Sequence, residues 1–145
     1  MARGEDALAI TQPEGTPLLD VLRGSLGVRS ATHGCVDGSC GSCRVLLNGA
    51  LVKSCRVLWR DVPEGAKLET YEDLADHVDA MRAVAAFEHE RRARCRLCIG
   101  ALGVTAVALG REGRAARAAA VDDVLAEATC MCTGRGSLRR ALMAT

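Results

Sequence analysis

Three of the eight cysteines in this chain lie within nine residues, Cys35-Val-Asp-Gly-Ser-Cys40-Gly-Ser-Cys43, and Cys55 completes a set of four after eleven intervening residues. Four thiolates spaced C-x4-C-x2-C, followed by a distant C, form the donor pattern of a centre of two irons and two sulfides. Such a centre needs thiolates converging from outside onto both irons. It also needs a backbone that wraps inorganic sulfide without side chains in the way. Gly34, Gly38 and Gly41 meet that second need, because glycine reaches backbone angles other residues avoid and lets N–H groups approach sulfur. The alternative is a zinc knuckle, which asks for two C-x2–4-C pairs. Here one arm holds three cysteines and the other holds one.

The other four cysteines form a second set: Cys95-x2-Cys98, thirty-one residues, then Cys130-x-Cys132. C-x2-C alone is common. C-x-C is rarer: its two sulfurs cannot pair with each other without strain, but both can ligate one site. A tetrahedral zinc site across a helical hairpin would use the same donors. Two separate four-cysteine sets, with no cysteine left over, favour iron–sulfur chemistry for both. His33 precedes the first loop, where four cysteines already suffice. His77 and His89 fall on a predicted linker and helix and read as surface residues, and Trp59 and Tyr71 read as packing. No Ser/His/Asp set, phosphate loop or paired-carboxylate site stands out.

The elements that must position these donors change character along the chain. Of 24 alanines, 18 lie beyond residue 72, while all three prolines lie before it. This shift predicts two domains, residues 1–72 and 73–145, joined around Tyr71 to Asp79. In the first, Ala7 to Ile10 reads as a short strand. Thr16 is expected to cap a helix with Pro17 at its first position and Leu18, Leu19, Val21 and Leu22 on its buried face. Arg44 to Leu47 and Ala50 to Cys55 read as strands joined by an Asn48-Gly49 hairpin turn, the second delivering the fourth thiolate. Lys67 to Thr70 is a last short strand. One helix across a small mixed sheet is the β-grasp arrangement. Only one good strand fits before the helix, which predicts a weak or partner-covered sheet edge.

The second half reads as helical. Val78 to Glu90 carries Val78, Met81, Val84, Ala85 and Phe87 as its apolar face. Ile99 to Leu109 follows, broken by Gly110 to Gly113. Val121 to Ala128 turns Val121, Val124 and Leu125 inward, and Ser137 caps a final helix to Met143. The fold class is therefore α+β: a plant-type ferredoxin-like β-grasp domain, then an all-α four-helix domain with cysteines at its bends.

Apolar residues make up 49 % of the chain but aromatics only 2 %, so its cores are thin and built from Ala, Val and Leu. Cofactors or partners often supply the missing stability in such domains. Met1 to Ile10 holds two acids and no long apolar run, unlike a secretory signal, and no stretch approaches a transmembrane helix. The expectation is a cytoplasmic, reducing compartment with the cysteines as metal ligands, export being open only through a signal-bearing partner. A formal charge of +1 argues against nucleic acid as a partner. It also argues against a freely diffusing ferredoxin, which uses strong charge of one sign to find its partners.

Taken together, these motifs resemble the small, two-cluster iron–sulfur subunit (or N-terminal domain) of the molybdenum hydroxylases, the group of xanthine dehydrogenases, aldehyde oxidoreductases and aerobic carbon monoxide dehydrogenases. The resemblance runs from Thr16 to Leu142 through Pro17-Leu-Leu-Asp-Val-Leu-Arg23, His33-Gly-Cys-Val-Asp-Gly-Ser-Cys-Gly-Ser-Cys43, Asn48-Gly49, Ser54-Cys55 and Cys130-Met-Cys-Thr-Gly134. It implies that substrate is oxidised at a molybdopterin centre on a large partner subunit, with no substrate chemistry on this chain. Electrons would pass through two 2Fe–2S clusters to an FAD-binding medium subunit or another acceptor. Cys95, Cys98, Cys130 and Cys132 would hold the cluster nearest the pterin, with Cys132 close to it. Cys35, Cys40, Cys43 and Cys55 would hold the distal one.

The chain departs from the family pattern around the second set. Arg94 stands where a pterin-contacting glutamine is usual, Arg96-Leu97 replaces Gly-Tyr, and Ile99-Gly100-Ala101 replaces Thr-Pro-Gly. Ala128-Thr-Cys-Met-Cys132 replaces Asn-Leu-Cys-Arg-Cys, and Arg135 stands where an aromatic is common. Arg91, Arg92, Arg94 and Arg96 form a basic run. It is either a solvated helix end or a positive field that favours the reduced cluster and raises its potential. Two readings of other classes stay open: a zinc-binding structural module, and a stand-alone two-cluster ferredoxin or redox sensor.

Overall fold

A computed structural model of the chain describes residues 12–90, 96–128, 132 and 134–145. The strand expected at Ala7 to Ile10, with the sheet edge it bears on, lies outside these residues. So do Arg91, Arg92, Arg94, Cys95 and Cys130.

Helix α1 (Leu18–Gly24) buries the expected face of Leu18, Leu19, Val21 and Leu22. Its start differs from expectation. Pro17, not Thr16, occupies the N-cap with extended angles (φ −61°, ψ 142°) and no side-chain cap. Strand-like hydrogen bonds do the work instead: the Trp59 amide donates to the Thr16 carbonyl (2.9 Å) and the Leu18 amide to the Val57 carbonyl (2.8 Å). Proline lacks an N–H, so its place in this bridge removes no bond.

Strands β1 (Arg44–Leu47) and β2 (Ala50–Lys53) form the predicted hairpin, with Leu47 opposite Ala50. Asn48 (φ 51°) and Gly49 (φ 82°) both take the left-handed region, as a two-residue type I′ turn requires. The Asn48 carboxamide oxygen accepts the Lys67 amide (2.8 Å) and so anchors the turn to β3 (Leu68–Glu69). The described sheet has the order β2-β1-β3, all antiparallel. Cys55 does not extend β2; it sits in a 3-10 turn over Ser54–Arg56. The buried Ser54 hydroxyl donates to the Cys43 carbonyl (2.7 Å), drawing that turn back over the cysteine loop.

A one-turn helix not expected from periodicity, α2 (Tyr71–Leu74), follows β3. Asp73 closes a capping box on it by accepting from both the amide and the hydroxyl of Thr70 (2.9 and 2.8 Å). Helices α3 (Val78–Glu90), α4 (Ile99–Gly110), α5 (Arg114–Ala126) and α6 (Gly134–Met143) complete the fold. No helix among the described residues is long and apolar enough to cross a membrane.

Helix α4 is apolar all round, and its residues from Gly100 to Val107 are buried. It lies against β1 on one side and α3 on the other. This close packing selects small residues. A Cβ on Gly103 would come within 2.5 Å of the Tyr71 ring and 3.5 Å of Ala80. Hence α3 turns Ala80, Ala83 and Phe87 inward, while Val78 and Met81, expected on its buried face, are 52 % and 56 % exposed. Helix α5 begins seven residues earlier than expected, because the run Arg114 to Ala120 favours helix by intrinsic propensity without an apolar stripe.

Strand β1 links the cores. Val45 packs with α1 and Leu68, while Leu46 on the opposite face packs with Leu74, Ala80, Val104 and Val107. The two halves, a ferredoxin-like sheet with its helix and a four-helix unit, are thus joined by apolar layers and by polar clamps. Arg111 pairs with Glu69 and Lys53 with Glu127, both at 3.3 Å, across the halves. Within the first half Glu72 ties α2 to residues 29–30, accepting from the amides of Arg29 (2.7 Å) and Ser30 (2.9 Å) and from the Ser30 hydroxyl (2.5 Å). Burial pushes its carboxyl up, but the Ser30 hydroxyl and these two amides outweigh burial and hold it down at about 2.

Candidate iron–sulfur centres

The loop from Gly34 to Cys43 is held by hydrogen bonds that end on sulfur. The Cys40 amide donates to Cys35 Sγ and the Ser42 amide to Cys40 Sγ, both at 3.4 Å. Ser42 Oγ donates to the Thr32 carbonyl (3.0 Å) and sits 3.1 Å from Cys40 Sγ. Cys43 Sγ lies 3.3 Å from Cys55 Sγ, across the turn that Ser54 pins. The structure therefore brings Cys35, Cys40, Cys43 and Cys55 to one place, in two arms.

The glycines are where side chains cannot be. A Cβ on Gly34 would lie 2.8 Å from Cys40 Sγ and 3.2 Å from Ser42 Cβ. Gly38 (φ 77°) and Gly41 (φ 72°) take the left-handed region, and each has an arginine guanidinium across its face, Arg56 and Arg44 respectively. A surface hollow of about 610 Å³ opens between Cys35 and Cys55, walled also by Gly34, Gly38 and Arg56. Among the described residues no three His, Cys, Asp or Glu side chains converge as a single metal ion asks. Sulfurs spread in two arms around glycines suit a dinuclear centre, which takes two thiolates at each iron. The donor set fits.

Electrostatics divide the four thiols. The Cys40 amide pulls the Cys35 thiol below its usual range, burial working against it. Burial pushes Cys55 up to about 12, helped by its hydrogen bond and charge interaction with Cys43 and opposed by Arg56. Cys55 thus keeps its proton until metal displaces it, since binding a thiolate ligand releases a proton. At the exposed tip of the loop, the hydroxyl and amide of Ser39 (2.7 and 3.1 Å) hold Asp37 down at about 2. His33 stands apart as a donor, with Nε2 2.9 Å from Asp20 Oδ1.

In the second set, Cys98 is half-buried at the start of α4 and Cys132 is exposed two residues before α6. The positive end of a helix dipole favours a thiolate at such positions. Cys95, Cys130 and Arg94 lie outside the described residues. A cavity of about 30 Å³ is lined by Cys40, Gly41, Ser42 and Arg44 from one half, and by Cys98, Ala101, Leu102 and Thr105 among others from the second. One cysteine of each set thus lines the same small space.

Sequence patterns did not single out Arg44 or Arg56, and gave Ser42 and Ser54 no role beyond their place in the quoted motifs. Arg44 is 8 % exposed and donates through Nη2 to the Val124 carbonyl (2.8 Å), eighty residues away in sequence. Burial lowers its pKa, offset by the charges of Glu127, Cys43 and Cys40. The hint in the sequence is a lone arginine opening an otherwise apolar strand.

The sequence model of the 2Fe-2S iron-sulfur cluster binding domain matches residues 4–75. The xanthine dehydrogenase iron-sulfur-binding subunit of Escherichia coli O157:H7 is 30 % identical over 125 residues, covering 83 % of this chain and 76 % of that protein. The chain belongs to the iron–sulfur subunit family of the molybdenum hydroxylases. Among the solved members, quinoline 2-oxidoreductase from Pseudomonas putida 86 superposes with a TM-score of 0.74 at 30 % identity, over 90 % of this chain and 80 % of that one. A nicotinate dehydrogenase subunit of Pseudomonas putida is 34 % identical over 94 residues, or 65 % of this chain. The chain spans 59 % of that relative and 9 % of the aldehyde oxidoreductase of Megalodesulfovibrio gigas, which is 33 % identical over 81 residues.

Proposed function

We propose that this chain relays electrons from a molybdopterin centre on a large partner subunit to an FAD-binding medium subunit or another acceptor. Cys35, Cys40, Cys43 and Cys55 hold the distal cluster, and Cys95, Cys98, Cys130 and Cys132 the proximal one. Each site, when loaded, takes up and releases one electron without moving atoms of substrate. The chain's own residues position and insulate the sites. Gly34, Gly38 and Gly41 keep side chains off the first. Ala101 and Leu102 give the small space between the sets an apolar wall. The Arg111–Glu69 pair and the β1–α4 contact fix one half against the other. Residues 1–72 and 73–145 act as the two cluster-bearing units. Thiol donors must stay reduced until they are loaded, which favours assembly in the cytoplasm.

The observation that carries this reading is the small cavity lined by both Cys40 and Cys98, where one site gives onto the other. The test is anaerobic purification of the tagged chain from its native source, with molybdenum, pterin and flavin quantified across the fractions. Co-elution with a larger molybdenum-bearing subunit is expected. A chain that elutes alone, carrying both clusters with no molybdenum in any fraction bound to it, would overturn the relay.

A further inference from the structure

Arg44 follows Cys43 directly and opens β1, on the face opposite Val45. Its side chain crosses Gly41, where a Cβ would meet Cζ at 3.1 Å, and ends on the carbonyl of Val124 near the C-terminus of α5. Arginine there satisfies a helix-end carbonyl, but burying a guanidinium without an anion is expensive. Among the described residues Arg44 forms no ion pair. The carboxylate whose charge reaches it, Glu127, is 73 % exposed and bound to Lys53 (3.3 Å). Two of the proposed ligands stand beside it, Cys43 as the preceding residue and Cys40 on the wall of the same small cavity, and both would be thiolates in a loaded site. Four thiolates, two sulfides and two ferric irons sum to a doubly negative set, and one more electron makes it more negative still.

We infer that Arg44 is the buried counter-charge of the site formed by Cys35, Cys40, Cys43 and Cys55, raising that site's reduction potential and so drawing electrons across the Cys98–Cys40 boundary. The inference rests on the reading of these cysteines as a 2Fe–2S site. Arg44 adjoins Cys43 in the chain and lines one cavity with Cys40 and Cys98, so among the described residues two ligands of the first site stand beside it against one of the second. The guanidinium stays protonated throughout, so charge is compensated without proton uptake.

The test is an EPR-monitored redox titration of both clusters in the loaded protein, for the parent, Arg44→Gln and Arg44→Lys. Arg44→Gln keeps a donor for Val124 and removes the charge; Arg44→Lys keeps the charge. In Arg44→Gln the reduction equilibrium of the ferredoxin-like cluster should fall about tenfold, which is about 59 mV for a one-electron couple. The helical cluster should move much less, and Arg44→Lys should stay near the parent. Where Arg44→Gln does not assemble, Arg44→Met replaces it. Arg44→Lys decides in either case, because a full tenfold fall with the charge retained overturns the inference. So does an unmoved potential in an assembled neutral variant, or equal shifts of both clusters. Those results would leave the relay standing, whereas a parent protein lacking one of its two EPR signals would overturn the reading beneath both.

Discussion

The two cysteine sets present the same four donors on opposite kinds of scaffold. The first is a loop: three cysteines within nine residues, glycines where any Cβ would strike sulfur or guanidinium, and amides aimed at Cys35 and Cys40. The second uses helix ends, Cys98 opening α4 and Cys132 preceding α6, with no comparable glycine cradle among the described residues. A loop site is specified atom by atom by its own sequence. A helix-end site is specified by how helices pack, so its geometry is only as firm as the core behind it. Local changes should therefore break the first and leave the second, and core changes the reverse.

The largest effect is expected from the ligands. Cys40→Ser should remove the ferredoxin-like EPR signal and about half the iron, leaving the other signal, and Cys98→Ser should do the converse. Loss of both signals from either variant would mean the sites do not assemble independently. Gly34→Ala comes next: its methyl must displace Cys40 or Ser42, so the first cluster should be lost or bleach rapidly in air while the helical signal keeps its intensity. Leu102→Ala, in the helical core, should destabilise the protein by about 2–5 kcal/mol in urea. It should broaden the helical signal more than the other; equal broadening would erase the contrast between the scaffolds.

The smallest effect concerns the clamp that ties α2 to residues 29–30. Glu72 is depressed from 4.5 to about 2 in the folded protein. Its stabilisation is therefore complete above pH 4.5 and fades as pH falls toward 2, where the folded carboxylate takes up its proton. Glu72→Gln should lower stability at pH 7 by roughly 1 kcal/mol, allowing for the solvent that screens this half-exposed group. The difference from the parent should shrink as the pH is lowered below 4.5. A difference that stays constant from pH 7 down would assign the loss to shape, not charge.

What was legible in the sequence follows the same division. Ligand spacing, the glycines and the Asn48-Gly49 turn are local constraints, so Cys35, Cys40, Cys43 and Cys55 could be assembled on paper and are found together. The buried face of α1 was also plain, because its large apolar residues leave no rival stripe. The face of α3 was not. Hydropathy favours Val78 and Met81, but close packing on α4, where Gly103 faces Ala80, leaves Ala80 and Ala83 buried instead. The turn that carries Cys55 depends on Ser54 reaching back to Cys43, and the burial of Arg44 depends on Val124. Such long-range partners leave no periodic trace.

The most direct measurement is low-temperature EPR of the anaerobically purified, dithionite-reduced protein, with iron and acid-labile sulfide determined on the same sample. Two distinct rhombic signals with about four irons per chain, as two four-cysteine 2Fe–2S sites require, are the expected result. A single signal with about two irons, or no signal with zinc bound, would contradict the two-cluster relay at its root.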